Sequence, residues 1–406
     1  MKKLRDSRLL VLTDRYPHIM DHISASFVKN QIEYLKDYVE NVCVISLAPF
    51  VPKFLSHFGF MDGKGRWDGY AKDYKYDNVE VYFAKPWALP LEFSRRRRGD
   101  DGFRNAKQVI KRNKIEFDLI HAHFTYPAGY VGARLKETYG KNLILTVHED
   151  RNWFLNEIVS VDSKILYSWQ NADRIIRVNK ADLKEFAKIN INRSKLVYIP
   201  NGFSSELFKP IDKKTARKKL NLPKDKDILL NVAALEAYKG QKYLIRAMKA
   251  VISSKEDAIL YIVGKGSLRN HLQSLLEQNG LQDHVVLAGG DKSIEEIVLW
   301  MNACDVFVLP SLNESFGIVQ IEAMACGKSV VATRNGGSEE IVINDKLGFL
   351  VDTTDAEGMA KAILKALDMD WNREYILDYS RQFTWKRIAQ KIVELYDIVI
   401  RERSQG

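Results

Sequence analysis

Two glutamates, Glu314 and Glu322, are separated by seven residues in the stretch NESFGIVQIEAMACG, which also carries Gly317 and Gly327. An ionised carboxylate only accepts hydrogen bonds, which suits paired sugar hydroxyls. The preceding DVFVLP reads as a strand stopped by Pro310, and FGIVQIEAMAC as a helix that Gly327 ends. The first amides of such a helix have no intrahelical partner and carry partial positive charge, so they suit a phosphate, and Gly317 removes the side chain that would block its approach. Glu314 then lies before the anion site, and Glu322 lies roughly 9 Å beyond Phe316 at about 1.5 Å per residue. A ligand with hydroxyls at both ends and a phosphate between them, a nucleotide sugar, matches that order. The same spacing also allows a plainer reading, in which Glu314 helps cap the helix, Glu322 is solvated and the small residues permit close packing.

Short Val, Ile and Leu runs alternate with longer segments of helical period, the pattern of strands buried between helices, so the fold class is α/β. The first half predicts strands at RLLVLTD, NVCVISLA, VEVYFA, FDLIHAHF, NLILTVHE, RIIRVN and KLVYIP. The second predicts DILLNVAAL, AILYIVG, HVVLAG, DVFVLPS and SVVATRNGG. Each set makes one doubly wound sheet. A polar stretch punctuated by Pro200, Gly202, Pro210 and Pro223 separates them, so residues 1–200 and 201–384 are expected to be separate domains. The segment from 385 to 406 carries Trp385, Ile388, Ile392, Leu395, Tyr396 and Val399 on one helical stripe, to be buried against a neighbouring domain.

With 406 residues, 46% of them hydrophobic, the chain is long enough for two cores. Cys43, Cys304 and Cys326 have no metal or redox spacing and read as buried thiols. The apolar run LLVL near the N-terminus is too short for a signal or a membrane span, so a cytoplasmic location is expected. The net charge of +10 is confined to residues 1–200, which hold 34 Lys and Arg against 24 Asp and Glu, while the rest holds 28 of each. The basic half should attract an anionic partner. No nucleic-acid recognition motif accompanies it.

VLPSLNESFGIVQIEAMACGKSVVAT resembles the donor-site signature of the retaining family 4 glycosyltransferases. VYIPNGFSSELFKP, LEAYKGQKYLIRAM, IVGKGSLRNHLQSLL, RNGGSEEIV and LGFLVD follow in the family's order and at its spacings, over nearly all of residues 118–385. The resemblance implies the GT-B architecture, two Rossmann-like domains facing across a cleft with the last helix crossing back to the first domain. It puts Glu314 near the donor sugar's hydroxyls, Glu322 on the ribose, and Lys239 of YKG on the diphosphate, with Phe316, Gly317, Ile318, Gly240, Gly264 and Ser311 around the donor. It implies that His123 of HAHF faces the sugar, and places His148 of TVHED and Ser26 on the acceptor side. Three departures stand out. Ala234 occupies the place of a diphosphate-binding arginine; Ser24, Ala25 and Ser26 stand where glycine is usual; Glu149 replaces a glycine, with Asp150 one place early.

The expected reaction is transfer of a sugar from a nucleoside diphosphate to a glycan or lipid-linked acceptor, with retention and without a glycosyl-enzyme. Lys239 and the amides near Phe316 and Gly317 would stabilise charge on the leaving phosphate. No cofactor and no metal are expected. DKD at 225–227 reads as a turn and DMD at 368–370 as a helix end, so neither is taken as a metal-binding triad. The alternatives are a catalytically weak or inactive binding subunit, prompted by Ala234 and the altered first loop at Ser24, Ala25 and Ser26, and a sugar-nucleotide epimerase or hydrolase. GKGSLR lacks the third glycine of a dinucleotide fingerprint.

Two apolar and basic stretches in the first half suggest where the acceptor is held. FVPKFLSHFGF, residues 50–60, has four phenylalanines beside a lysine, and Trp87 precedes Arg95, Arg96, Arg97 and Arg98. Apolar side chains beside a cationic cluster suit an anionic membrane surface, so peripheral attachment at the inner face of the cell membrane is expected.

Overall fold

A computed structural model describes residues 2–17, 26–48, 72–85 and 92–405. The described residues divide into two compact units, one of Met1–Pro200 with Lys386–Gly406 and one of Asn201–Trp385.

The first unit is built on an eight-stranded sheet. Its strands are β1 (Arg8–Thr13), β2 (Asn41–Ser46), β3 (Tyr74–Tyr76), β4 (Val79–Phe83), β5 (Leu119–His123), β6 (Asn142–Val147), β7 (Arg174–Arg177) and β8 (Leu196–Tyr198), in the spatial order β3-β4-β2-β1-β5-β6-β7-β8. All neighbours are parallel except β3 and β4. Leu10, Leu12, Ile45, Ile120 and Leu145 are fully buried, as continuous apolar strands covered on both faces must be. The order reverses at β1, which lies between β2 and β5, and Asp14 and His123 stand at the carboxyl ends of that strand pair.

The second unit has β9 (Ile228–Val232), β10 (Ile259–Val263), β11 (Val285–Gly289), β12 (Val306–Leu309), β13 (Ser329–Thr333) and β14 (Gly348–Val351), all parallel, in the order β11-β10-β9-β12-β13-β14. Its order reverses between β9 and β12. Ligands of open α/β sheets bind outside the carboxyl ends of strands at such a reversal.

The twelve strands expected from apolar runs are all present, and two more appear, β3 and β14. β3 is a three-residue antiparallel edge strand, too short to show a period. β14 begins at Gly348, where a side chain would meet the carbonyl oxygen of Val330 at 1.8 Å, so a glycine that reads as a breaker here permits close strand approach.

The last helix, Trp385–Gln405, buries Ile388, Ile392, Leu395, Tyr396 and Val399. Tyr396 is fully buried in the first unit, its hydroxyl 2.6 Å from His121 Nδ1, and Asn142 donates to the Val399 carbonyl at 2.7 Å. Cys43, Cys304 and Cys326 are free and buried. Burial pushes the thiols of Cys304 and Cys326 up to about 12, outside the range of a reactive thiolate.

Candidate active site

At the reversal in the second sheet, two loops meet. The loop after β9 ends in a single turn, Ala237–Lys239, and Gly240, at φ +67°, starts the helix Gln241–Ser254. A β-carbon on Gly240 would lie 2.0 Å from the carbonyl oxygen of Pro310, so only glycine lets this loop rest on the one after β12. Leu312 N–H donates to the Tyr238 carbonyl at 2.7 Å and ties the two together. Lys239 Nζ then reaches Glu314 Oε1 at 2.5 Å, and Ser311 Oγ donates to the same oxygen at 2.8 Å. Both ends of the pair retain some exposure, so the charges lie at a surface that a ligand can reach.

Glu314 is held from behind as well. Its backbone N–H donates to the Asn335 carbonyl at 3.1 Å, and the Asn335 side chain accepts from the N–H groups of Gly337 and Ser338. A side chain on Gly337 would strike the backbone of Phe316 at 2.8 Å. Phe316 is fully buried, edge-on to Phe383 with ring centres 5.8 Å apart. It anchors the loop. The helix begins two residues later than the sequence suggests, at Ile318, after Gly317 at φ +86°. The amides of Ile318 and Val319 therefore form the positive end of the helix.

Glu322 lies on this helix, Ile318–Ala325, and burial pushes its carboxyl up to about 8. Gly264 follows β10, and a β-carbon there would lie 1.8 Å from the Ala233 carbonyl oxygen, so it serves close approach of the loops after β9 and β10. Ala234 is exposed, and Gln241 donates to its carbonyl at 2.9 Å. Ser311 is fully buried and its hydroxyl donates to Glu314, so it helps to hold the carboxylate. Asn335 and Gly337 belong to the RNGG motif, and Asn-Gly-Gly just past a buried strand is the sequence signal for this support.

The first unit collects a second polar group at its own reversal. His123 Nδ1 lies 3.0 Å from His148 Nε2, with the two rings 13° from parallel. Both imidazoles are buried. Burial takes the His123 pKa down to about 3 and lowers that of His148, where the neighbouring His123 and the Arg177 guanidinium add to the effect. Arg177 is itself fully buried on Asp182 and donates to the carbonyls of Val147 and Glu149. Glu149, at the family's glycine position, accepts from Thr125 N–H at 2.5 Å, and Asp150 caps the helix Arg151–Ser160 through Trp153 N–H. These two departures thus serve local structure.

Asp14 accepts from Ala128 N–H at 3.1 Å. Burial pushes its carboxyl up to about 8 against the opposing charge of Arg98. Residues 95–98 lie on a helix, Glu92–Arg112, and Arg98 is half-buried with its Nε sealed from solvent and its charge near enough to act on Asp14. Arg97 is exposed. Arg95 and Arg96 lie on the same helix, and Ser26 opens the helix Ser26–Leu35. Trp87, Ser24, Ala25 and residues 50–60 lie outside the described residues.

Known proteins resemble this chain over most of its length. The family model "Glycosyl transferases group 1" matches residues 212–383, and "Glycosyltransferase Family 4" matches residues 66–207. An uncharacterised glycosyltransferase of Methanocaldococcus jannaschii is 30% identical over 301 residues, 73% of this chain and 79% of the relative. The chain belongs to the family 4 glycosyltransferases and has their two-domain, Rossmann-like GT-B fold. D-inositol 3-phosphate glycosyltransferase of a Nocardioides species is 28% identical over 322 residues, 72% of this chain and 70% of that one. Among solved structures, sucrose-phosphate synthase of Thermosynechococcus elongatus aligns with TM-score 0.77 and 23% identity over 97% of this chain and 100% of its own. Anabaena HepE in complex with UDP aligns with TM-score 0.72 and 21% identity over 96% and 99%.

Proposed function

We propose that this glycosyltransferase moves a hexosyl group from a nucleoside-diphosphate sugar to a hydroxyl of a glycan or lipid-linked acceptor, with retention at the anomeric carbon and without a metal ion. The observation that carries the reading is the Lys239–Glu314 contact before the first turn of the helix Ile318–Ala325. The ammonium and the amides of Ile318 and Val319 take the charge that develops on the leaving diphosphate. Glu314 and Glu322 accept from hydroxyls of the sugar and of the ribose, and Gly240 and Gly264 let backbone close on the ligand. His123 is assigned to the sugar and Ser26 to the acceptor side. HepE has been solved with UDP and with UDP-glucose, which supports a nucleotide-sugar donor. The acceptor hydroxyl attacks the face that the diphosphate leaves, and a departing phosphate oxygen takes its proton, so Glu314 forms no bond to the sugar.

The test is a thermal-shift screen of nucleotide sugars, since a ligand at 100 times its Kd stabilises by about 2.7 kcal/mol. Product anomers are then assigned by NMR with chelator present. Glu314→Gln should lower turnover by about a hundredfold or more with the fold unchanged. Wild-type turnover in that variant, an inverted product, or activity restored only by added Mg²⁺ would each overturn part of the reading. Absence of donor binding would favour an inactive binding subunit, and hydrolysis without transfer a sugar-nucleotide hydrolase.

We also propose that the basic unit works at the cytoplasmic face of an anionic membrane, in the synthesis of a cell-surface polysaccharide or glycoconjugate. No helix among the described residues is long and apolar enough to cross a membrane, so attachment would be peripheral. With Arg98 half-buried and its charge acting on Asp14, the contribution is assigned to Arg95, Arg96 and Arg97 with Trp87. Co-sedimentation with anionic vesicles should exceed that with neutral ones, weaken with salt, and fall when those three arginines become alanine. Equal binding to both vesicle types would leave a soluble acceptor as the better reading.

A further inference from the structure

Two aromatic side chains are exposed among the described residues, Tyr139 at 36% and Tyr238 at 50%. Tyr139 packs edge-on to Phe117, with ring centres 5.3 Å apart. Tyr238 meets no other ring, and its hydroxyl meets no hydrogen-bond partner, among the described residues. The group at its ring is the Lys239 ammonium, 5.0 Å from the ring centre. A single exposed apolar side chain is ordinary on any protein surface, so exposure alone decides nothing.

The backbone beneath the ring decides more. The Tyr238 carbonyl accepts from Leu312 N–H at 2.7 Å, Lys239 N–H donates to the Glu236 carbonyl at 2.9 Å, and Gly240 seats the turn against the Pro310 carbonyl, where a β-carbon has no room. A ring without partners is therefore carried on backbone that is tied down on both sides. Exposed loops usually leave backbone and side chain loose together. A tyrosine has only two side-chain torsions to fix, so on a fixed backbone it offers a large contact area at little cost in conformational entropy.

Its place along the donor follows from two distances. Lys239 Nζ is 5.0 Å from the Tyr238 ring centre and 2.5 Å from Glu314 Oε1, so ring and carboxylate flank one ammonium. Glu314 is assigned to hydroxyls of the donor sugar. Glu322, assigned to the ribose, lies on the helix Ile318–Ala325, past the amides assigned to the diphosphate. The ring thus belongs with the sugar end of the donor and not with the base end. A pyranose has the surface that such a place needs. Its edge carries hydroxyls that a carboxylate accepts from, and its flat side carries slightly positive C–H groups that suit the negative face of an aromatic ring.

We infer that Tyr238 is a specificity-determining residue of the donor site, its ring packing on the C–H face of the transferred pyranose while Glu314 accepts from hydroxyls at the sugar's edge. The assignment rests on the proposed glycosyl transfer and adds to it a contact that a nucleoside diphosphate without its sugar does not make. A ring that served only to hold the Lys239 ammonium would instead act on the diphosphate whether or not a sugar is attached.

The experiment is calorimetric measurement of Kd on the full chain for UDP, GDP, UDP-glucose, UDP-N-acetylglucosamine and GDP-mannose, in the wild type, Tyr238→Phe and Tyr238→Ala. In Tyr238→Ala the nucleotide sugar that the wild type binds most tightly should lose about two- to tenfold in affinity, while its own nucleoside diphosphate stays within about twofold. Tyr238→Phe keeps the aromatic face and should match the wild type for both. Equal losses for nucleotide sugar and nucleoside diphosphate overturn the inference in favour of a role through Lys239, and unchanged affinities in Tyr238→Ala overturn it outright. Should that variant fail to fold, Tyr238→Gln, which also removes the aromatic face, is read in the same way. A wild type that binds none of the five probes sinks the nucleotide-sugar reading itself, and this assignment with it.

Discussion

Lys239 Nζ and Glu314 Oε1 are 2.5 Å apart although the residues are 75 positions apart in the chain, with side chains only 17% and 12% exposed. Fully exposed ion pairs contribute about 0–1 kcal/mol, whereas a pair withdrawn from water and fixed by a third group, here Ser311, couples more strongly. A donor diphosphate competes with Glu314 for the same ammonium. A double-mutant cycle of Lys239→Met and Glu314→Gln should therefore give a coupling of about 0.5–3 kcal/mol in unfolding free energy without nucleotide. Saturating nucleoside diphosphate should reduce it. Coupling that is zero without nucleotide would mean the contact is incidental.

Glu322 should make donor binding depend on pH. Burial raises its carboxyl from the ordinary 4.5 to about 8, so at neutral pH most of the protein carries it protonated. If the ribose hydroxyls need the ionised acceptor, affinity rises as pH climbs toward 8 and levels off above it, and binding near pH 7 releases protons. Calorimetry in two buffers of different ionisation enthalpy reads that release. The stability sign is fixed by the same shift: the unfolded chain loses this proton first, so the group's contribution to folding is greatest below 4.5 and declines as pH rises to about 8. Glu322→Gln should flatten both profiles and act mainly on donor KM. A donor affinity that does not change between pH 6 and 9 in the wild type would refute the ribose role.

The strands that carry the site were legible because each is a continuous Val, Ile and Leu run covered on both faces, and the glutamate pair was legible because seven intervening residues fall within one loop and one helix. Contacts assembled by the sheet order were not. Asp14 and Arg98 are distant in the chain, yet the Arg98 charge acts on the buried Asp14 carboxyl. A run of four arginines reads as uniformly exposed, yet Arg98 is half-buried beside an exposed Arg97, because a helix turns successive residues by about 100° each. The same limit hid the bond from Ser311 to Glu314, which depends on how the loop after β12 folds back on itself.

Gly240 tests whether the meeting of the two loops matters. Alanine there would hold a positive φ of 67° and place a methyl carbon 2.0 Å from the Pro310 carbonyl oxygen, against backbone that cannot swing aside as a side chain would. The conformational strain alone is about 1–3 kcal/mol. Gly240→Ala should lower the melting temperature and, by drawing Lys239 away from Glu314, weaken donor binding beyond what the loss of stability explains. A variant with wild-type Tm and wild-type donor affinity would show that the close approach is not required.

Tyr396 tests what holds the last helix. Its hydroxyl is 2.6 Å from His121 Nδ1 in a fully buried setting, while His121 Nε2 keeps Thr146. Phenylalanine preserves the ring and its packing but leaves the imidazole nitrogen unpaired, which should cost about 1–3 kcal/mol. The helix also buries Ile388, Ile392 and Val399, so the apolar stripe remains and the variant should fold. Tyr396→Phe is expected to lower Tm while leaving nucleotide affinity unchanged, because every residue assigned to the nucleotide lies in Asn201–Trp385. An unchanged Tm would mean that apolar packing alone fixes the helix, and that the His121 nitrogen finds another partner once the hydroxyl is gone.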